Sequence, residues 1–301
     1  MITTHSSVNQ TWVDLNSPTK EEADSLVLTQ NIDPLIAKDL LAPTPMQSSR
    51  DVDKVIYAVL HIPTFKHSHS TESNIQEIDF VISVDGLVTA RYDSIDALHF
   101  FAKQIEVNEI LNKGPKSHLF FGMMKEIYKS IGSELAHTED WLEEIEKNIF
   151  EGKEKSMVFA ISNAGRNLLN FKKTIDPHIN IFEFIKEIGT EKFGSEFGAE
   201  AKILIGEWHR IIRKISSQLD LLMELRETNN SILSTKQNEI MKQLAILGSI
   251  LLPLTIIGQL FGLSIHNFPL INHPYAFWII LSIMATVMLI SIIYARVKKW
   301  M

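Results

Sequence analysis

The hydrophobic pattern splits the chain into two unlike parts. Up to Lys242, apolar residues recur at strand or helix spacing among charged ones; from Gln243 to Ala295 there is no Asp, Glu, Lys or Arg. Within that tract, Leu244 to Leu263 and Ala276 to Tyr294 each come to roughly the 20 mostly apolar residues that a bilayer core requires. A soluble helix of that length carries charge along one face, and these carry none. The pattern therefore predicts transmembrane helices over 244–263 and 276–295, joined by an uncharged polar loop over 264–275 that holds His266 and Asn267.

At helical spacing Asn238, Met241, Ala245, Ser249, Leu252, Thr255, Gln259 and Gly262 fall on one broad face of the first span. Small residues there suit helix–helix packing, and the polar ones suit a face turned to water. Two spans cannot enclose a pore, so a water-facing stripe requires a ring of subunits. Pro253 sits mid-span, where it removes a backbone hydrogen bond and is expected to kink or loosen the helix. Lys236 and Lys242 precede the first span, Arg296, Lys298 and Lys299 follow the second, and the loop between has neither Lys nor Arg. The positive-inside rule then places both termini in the cytoplasm, with the basic tail over 296–301.

The first part reads as an α/β domain over 1–112, a helical region over 113–199 and a stalk helix over 200–243. Thr11 to Leu15 is a short strand; Thr19 and Glu22 have capping-box spacing at the start of a helix. A short helix over 33–41 stops before Pro43 and Pro45. Ile56 to Ile62 is an apolar strand, and Asp79 to Tyr92 alternates around Asp85-Gly86 as a hairpin. In the stalk, Leu204, Trp208, Ile211, Ile215, Leu219, Leu222 and Leu225 recur at spacings of three and four, an amphipathic seam that runs into the first span without a break.

Composition narrows the function. The net charge of −7 argues against nucleic acid, which needs a basic face, and fits a surface that gathers cations. The absence of cysteine excludes disulfides and thiolate metal sites. The opening MITTHSSVNQTW has neither the basic start nor the apolar core of a signal peptide, so insertion is expected to rely on the C-terminal segments. No phosphate loop, H-E-x-x-H or G-x-S-x-G is present, so neither an enzyme nor a bound cofactor is expected. His67 and His69 in KHSHST read as a metal clip or as a solvated turn. Glu139, Asp140, Glu143, Glu144 and Glu146 read as a solvated helix face or as a cation-gathering one.

Several segments, in order, resemble the CorA-type divalent-cation transporters: WVDLNSPTKEE, DFVISVDGLVTARY, LEEIEKNIF with NFKKTIDP, KQNEIMKQLAILGSILLPLTIIGQLFG and the closing ARVKKWM. The resemblance covers nearly the whole chain. It implies an α+β fold: a cytoplasmic α/β domain, a long helical stalk and two C-terminal membrane helices, assembled as a homopentameric funnel in the inner membrane. It further implies that the first span lines the pore, with lipids around the second, and that the cargo is mainly Mg²⁺, with Co²⁺, Ni²⁺ or Zn²⁺ in some branches. Asn238, Leu244 and Leu252 match the family's pore-lining positions. The leucines would then be apolar constrictions that gate by dewetting, with Met241, Ala245, Ser249, Thr255 and Gln259 along the same wall.

One departure matters. Where the family has Gly-Met-Asn at the outer end of the first span, this chain has Gly262-Leu263-Ser264. Mg²⁺ sheds water reluctantly, and a serine hydroxyl reaches the waters of a hydrated ion over a different radius than an asparagine amide. His266 and Asn267 stand just beyond; an imidazole there would favour Zn²⁺, Ni²⁺ or Co²⁺. Transition-metal transport and a non-conducting pentameric sensor or scaffold are therefore the alternatives. Glu207 and Asp96 are the candidates for a regulatory metal site.

Overall fold

Side chains alternating at period two set the sheet. The computed structural model describes residues 1–7, 10–63, 75–110, 118–262 and 274–297, which divide into two units, Met1–Arg226 and Glu227–Met301. The first unit holds β1 (Ile2–Ser7), β2 (Gln10–Asn16), β3 (Ser48–Val52), β4 (Val55–Pro63), β5 (Ile75–Ser83) and β6 (Gly86–Arg91), in the order β1-β2-β6-β5-β4-β3. Among the described strands only β2 and β6 pair in parallel. Ile56, Ala58, Leu60, Ile62, Ile78, Phe80 and Ile82 point to one core, and Tyr57, Val59 and Val81 point to another.

The second of these cores is closed by α1 (Lys20–Thr29) and α2 (Pro34–Asp39), through Leu26, Ile36 and Leu40. The expected capping box is formed: Thr19 accepts from the Glu22 amide and Glu22 accepts from the Thr19 amide. The larger core is closed by α3 (Asp96–Ile110), α4 (Leu119–Phe150), α5 (Glu154–Ile175), α6 (His178–Phe193) and the start of α7 (Ser195–Gly262). The seam residues Leu204, Trp208, Ile211 and Ile215 are buried there. The second unit carries the remainder of α7 and α8 (Ala276–Val297). Both helices are long and apolar enough to cross a membrane, with mean hydropathy of 1.9 and 2.5.

Asp85-Gly86 marked the hairpin, but its glycine serves another purpose. The turn residues are Val84 and Asp85, and Gly86 is the first residue of β6, opposite Thr11 of the parallel β2. A Cβ on Gly86 would lie 2.0 Å from the Thr11 carbonyl oxygen. The close approach of two strands fixes this glycine. Next to it, Trp12 donates to Thr89 (2.9 Å), Thr89 donates to Asp14 (2.8 Å) and Arg91 donates to the other Asp14 oxygen (3.0 Å). These buried groups satisfy one another across the parallel pair.

A second polar cluster lies on the α1/α2 face. Glu77 accepts from the Thr44 amide at 2.8 Å and meets His61 Nε2 at 3.1 Å. Tyr57 donates to one oxygen of Asp79 at 2.9 Å, while the other has no conventional donor and faces Glu77. Two buried carboxyl groups side by side satisfy each other only if one is protonated and donates. Burial, reinforced by the adjacent Glu77 and partly opposed by Tyr57, pushes Asp79 up to about 8. Behind β4, His178 Nε2 donates to the His61 carbonyl (2.9 Å), so its Nδ1 accepts from Tyr128 (2.8 Å). Burial pushes this imidazole down to about 4 and keeps it neutral.

Two outcomes follow. Because the folded Asp79 value is raised, its contribution to stability is complete below the unfolded value near 3.8, declines as pH climbs, and is gone above about 8. Thermal unfolding of the protein in detergent should lose stability between about pH 4 and pH 8 by up to about 1.4 kcal/mol per pH unit for the one proton concerned. Asp79→Asn, whose amide donates to Glu77 at any pH, should flatten that slope. Gly86→Ala should cost about 3 kcal/mol through the forced separation of β2 and β6, read as a lowered unfolding temperature.

Candidate functional site

The candidate pathway lies on α7, which between Gly206 and Gly248 meets neither Gly nor Pro and stays helical through Pro253. In the second unit each helix has one sheltered stripe. On α7 it is Ile246, Ile250, Pro253, Leu254 and Ile257; on α8 it is Ala276, Ile280, Met284, Val287, Ser291 and the buried Ala295. One sheltered stripe on each is what two helices packing on one another leave. At about 100° per residue, the α7 stripe lies roughly opposite the face predicted from spacing. Asn238, Met241, Leu244, Ala245, Ser249, Leu252, Thr255, Gln259 and Gly262 are all exposed. Leu252, at 62%, is as open as a surface lysine despite being a leucine.

The hydroxyls on and beside that face are acceptors toward the outside. Ser249 donates its hydroxyl proton to the Ile246 carbonyl at 2.8 Å, and Thr255 donates to the Leu251 carbonyl, with Leu252 a weaker partner at 3.3 Å. Their protons are engaged along the helix, so their oxygens present lone pairs outward. Lone pairs are the polarity that suits the water shell of a cation. The apolar Leu244 and Leu252 alternate with them on the same face.

Gly262 is the last residue of α7. Leu263, Ser264, His266 and Asn267 lie outside the described residues, as do His67 and His69. Glu207, in the first unit, is bound by Arg210 at 2.7 Å and borders a cavity of about 570 Å³ with Lys125, Lys129, Glu200 and Lys214. A divalent cation there would have to displace the guanidinium. Asp96 occupies the first turn of α3, where a carboxylate complements the helix dipole. Among the described residues no group of three or more His, Asp or Glu is arranged to hold a metal. Of the acidic run on α4, Glu139 pairs with Lys214 at 2.9 Å, and Asp140, Glu143, Glu144 and Glu146 are exposed.

The Glu77–Asp79 pair was missed by the sequence analysis. Its signal was visible: two carboxylates at i and i+2 in the otherwise apolar strand IQEIDFVIS put both on the same, buried face.

The family model described as CorA-like Mg²⁺ transporter protein matches residues 9–297. The cobalt/magnesium transport protein CorA of Thermotoga maritima is 22% identical over 272 residues, 90% of this chain and 77% of that protein. The protein of the same name from Methanocaldococcus jannaschii is 23% identical over 295 residues, 96% of this chain and 90% of that one. The complete structure of the CorA magnesium transporter from Methanocaldococcus jannaschii superposes with a TM-score of 0.85 at 19% identity, covering 100% of this chain and 98% of the other. The α/β body, the long helix and the two apolar C-terminal helices are those of that fold, and the chain belongs to the CorA family of divalent-cation transporters.

Proposed function

We propose that five copies of this chain form a membrane conduit for divalent cations, chiefly Mg²⁺, with the exposed stripe of α7 as its wall. The observation that carries this reading is the division of labour on α7. The side opposite its sheltered stripe is uncharged from Gln243 onward, yet carries Thr255 and Gln259 as oxygen-bearing groups, with Ser249 at its flank. Two helices cannot surround a channel, so this wall needs copies of itself. Leu244 and Leu252 form apolar rings whose wetting opens the path; Asn238 stands at the cytoplasmic end, and Gly262, Leu263, Ser264, His266 and Asn267 at the outer mouth.

Transport is passive and inward. A membrane potential contributes about 2.3 kcal/mol per elementary charge per 100 mV, or about twice that for a divalent ion. Both termini, and the stalk below Lys242, are cytoplasmic, as the basic flanks require. The wall holds no carboxylate, so selection works on the hydrated ion through dipoles rather than by stripping its water.

Flux into proteoliposomes with an inside-negative potential, compared for Mg²⁺, Zn²⁺, Ni²⁺ and Co²⁺, tests the reading. Preferred Mg²⁺ entry is expected. Zn²⁺ or Ni²⁺ entry that disappears in His266→Ala would assign selection to the loop imidazole, and no flux of any ion from a verified pentamer would leave a sensor or scaffold. Leu252→Asn should raise Mg²⁺ flux about tenfold by removing on the order of 1.4 kcal/mol of dewetting barrier, with little effect on assembly.

A further inference from the structure

The hairpin of α4 and α5 sorts its charge by helix. From Glu139 to Glu146 all five exposed positions of α4 are carboxylates. On α5, Lys155, Arg166 and Lys173 are exposed, and the helix's one carboxylate, Glu154, is buried. Around the hairpin tip the ion pairs are Glu139 with Lys214 and Glu151 with Lys147 and Lys153. Among the described residues none involves Glu143, Glu146, Lys155, Arg166 or Lys173. Opposite charges left unmatched on one folded unit point to a partner that carries both.

Geometry places the two sets on opposite edges. Both helices pack on α7: Gln218 donates to the Leu135 carbonyl of α4 at 2.6 Å, and Leu222 and Arg226 lie against Gly165 of α5. At about 100° per residue, Glu139, Glu143, Glu146 and Phe150 form one stripe of α4, on the flank that Glu139 turns to α7. The other flank of α4 faces α5, where Lys153 donates to Asn148 at 2.8 Å. By the same spacing Lys155, Val158, Ser162, Leu169 and Lys173 form a stripe of α5 on the flank of Gly165. Each stripe also exposes apolar surface: Phe150 at 69% on the acidic one, Leu169 at 50% and Val158 at 45% on the basic one. Because the chain turns at Gly152, residues equally far on either side stand level, Glu143 with Ser162 and Glu139 with Arg166.

We infer that the basic edge of α5 on one copy of this chain docks on the acidic edge of α4 on the next. The inference deepens the proposed ring of five and rests on it. Rotation about an axis parallel to the hairpin keeps every residue at its height, so Arg166 meets Glu139, Ser162 meets Glu143, and Lys155 reaches Glu146. The two patches differ, so the contact is head-to-tail, and repeating it closes a ring. Exposed ion pairs contribute only about 0.2–1 kcal/mol each. The charges therefore select the partner edge and its register, while Phe150, Val158 and Leu169 are covered.

The chain has no cysteine, so introduced pairs report proximity without background. In the full chain in vesicles, Glu143→Cys with Ser162→Cys, oxidised with copper phenanthroline, should give a ladder of covalent species from dimer to pentamer on a non-reducing gel. Asp140→Cys with Asn163→Cys, on faces turned away from α7, should link about tenfold less. Added to the first pair, Lys155→Glu with Arg166→Glu should lower the ladder about fivefold. Further adding Glu139→Lys with Glu146→Lys should restore it, which a merely misfolded variant would not do. No ladder from a verified pentamer, a ladder that stops at the dimer, or a control pair that links equally well would overturn the inference. Flux through a pentamer that does not link leaves transport standing and removes this interface; a full ladder without flux keeps the interface and removes transport.

Discussion

A single helix that must serve two solvents is the constraint on which this structure depends. α7 runs from Ser195 to Gly262 as one element, and its helical lattice fixes which residues share a face throughout. In its first half the buried positions include Leu204, Trp208, Ile211, Ile215, Leu222 and Leu225, and its exposed ones are mostly charged and polar side chains, with Ile203 and Met223 among them. Past Gln243 charge disappears, because an ionised side chain in hydrocarbon costs several kcal/mol. What survives on the face away from the sheltered stripe is hydroxyls, one amide, small residues and apolar side chains such as Leu244 and Leu252. The chemistry left to that face follows from the restriction: it has only neutral dipoles to act with.

Periodic signals were legible in the sequence, and signals that depend on a neighbour were not. The capping box at Thr19 and Glu22, the strand Ile56 to Ile62 and the α7 seam each rest on local spacing, and each is present. β1 and β3 were not anticipated, because ITTHSS and SSRDV are polar and mostly unburied; only pairing with β2 and β4 makes them strands. The helical stretch before Glu200 contains a separate helix, α6, and the next begins at Ser195, because Gly194 takes a left-handed φ of 96° that ends one helix and releases the next. The face proposed on the first span comes from period alone. Its relation to a sheltered face required α8.

The two polar clusters of the sheet show opposite ways to bury charge. Asp14 is met by Thr89 and by the Arg91 guanidinium, so its negative charge is compensated within hydrogen-bond distance. Asp79 has a phenol and a second carboxylate for company and is held as the acid instead. Asp14 has a partner on each oxygen, one of them a cation, whereas Asp79 has a phenol on one oxygen and is held as the acid by burial, so its contribution depends on pH. His178 belongs with the second kind: buried and neutral, it joins α4 and α6 to β4 through two directed bonds.

The same accounting governs the span, with a different result. In the sheet each buried dipole has a fixed partner, and the gain is rigidity. On α7 the hydroxyls of Ser249 and Thr255 return their protons to the backbone, leaving oxygens that accept and cannot donate outward. Hydroxyl oxygens turned outward as acceptors attract cation-bound water without holding a cation by charge. That combination suits a path through which an ion must pass as well as enter, since conduction fails when binding is too strong. A carboxylate at the level of Ser249 would bind a divalent ion more tightly and release it more slowly. The absence of charge from Gln243 to Ala295 is what a hydrocarbon surround requires, and on the proposed pore wall it also favours release.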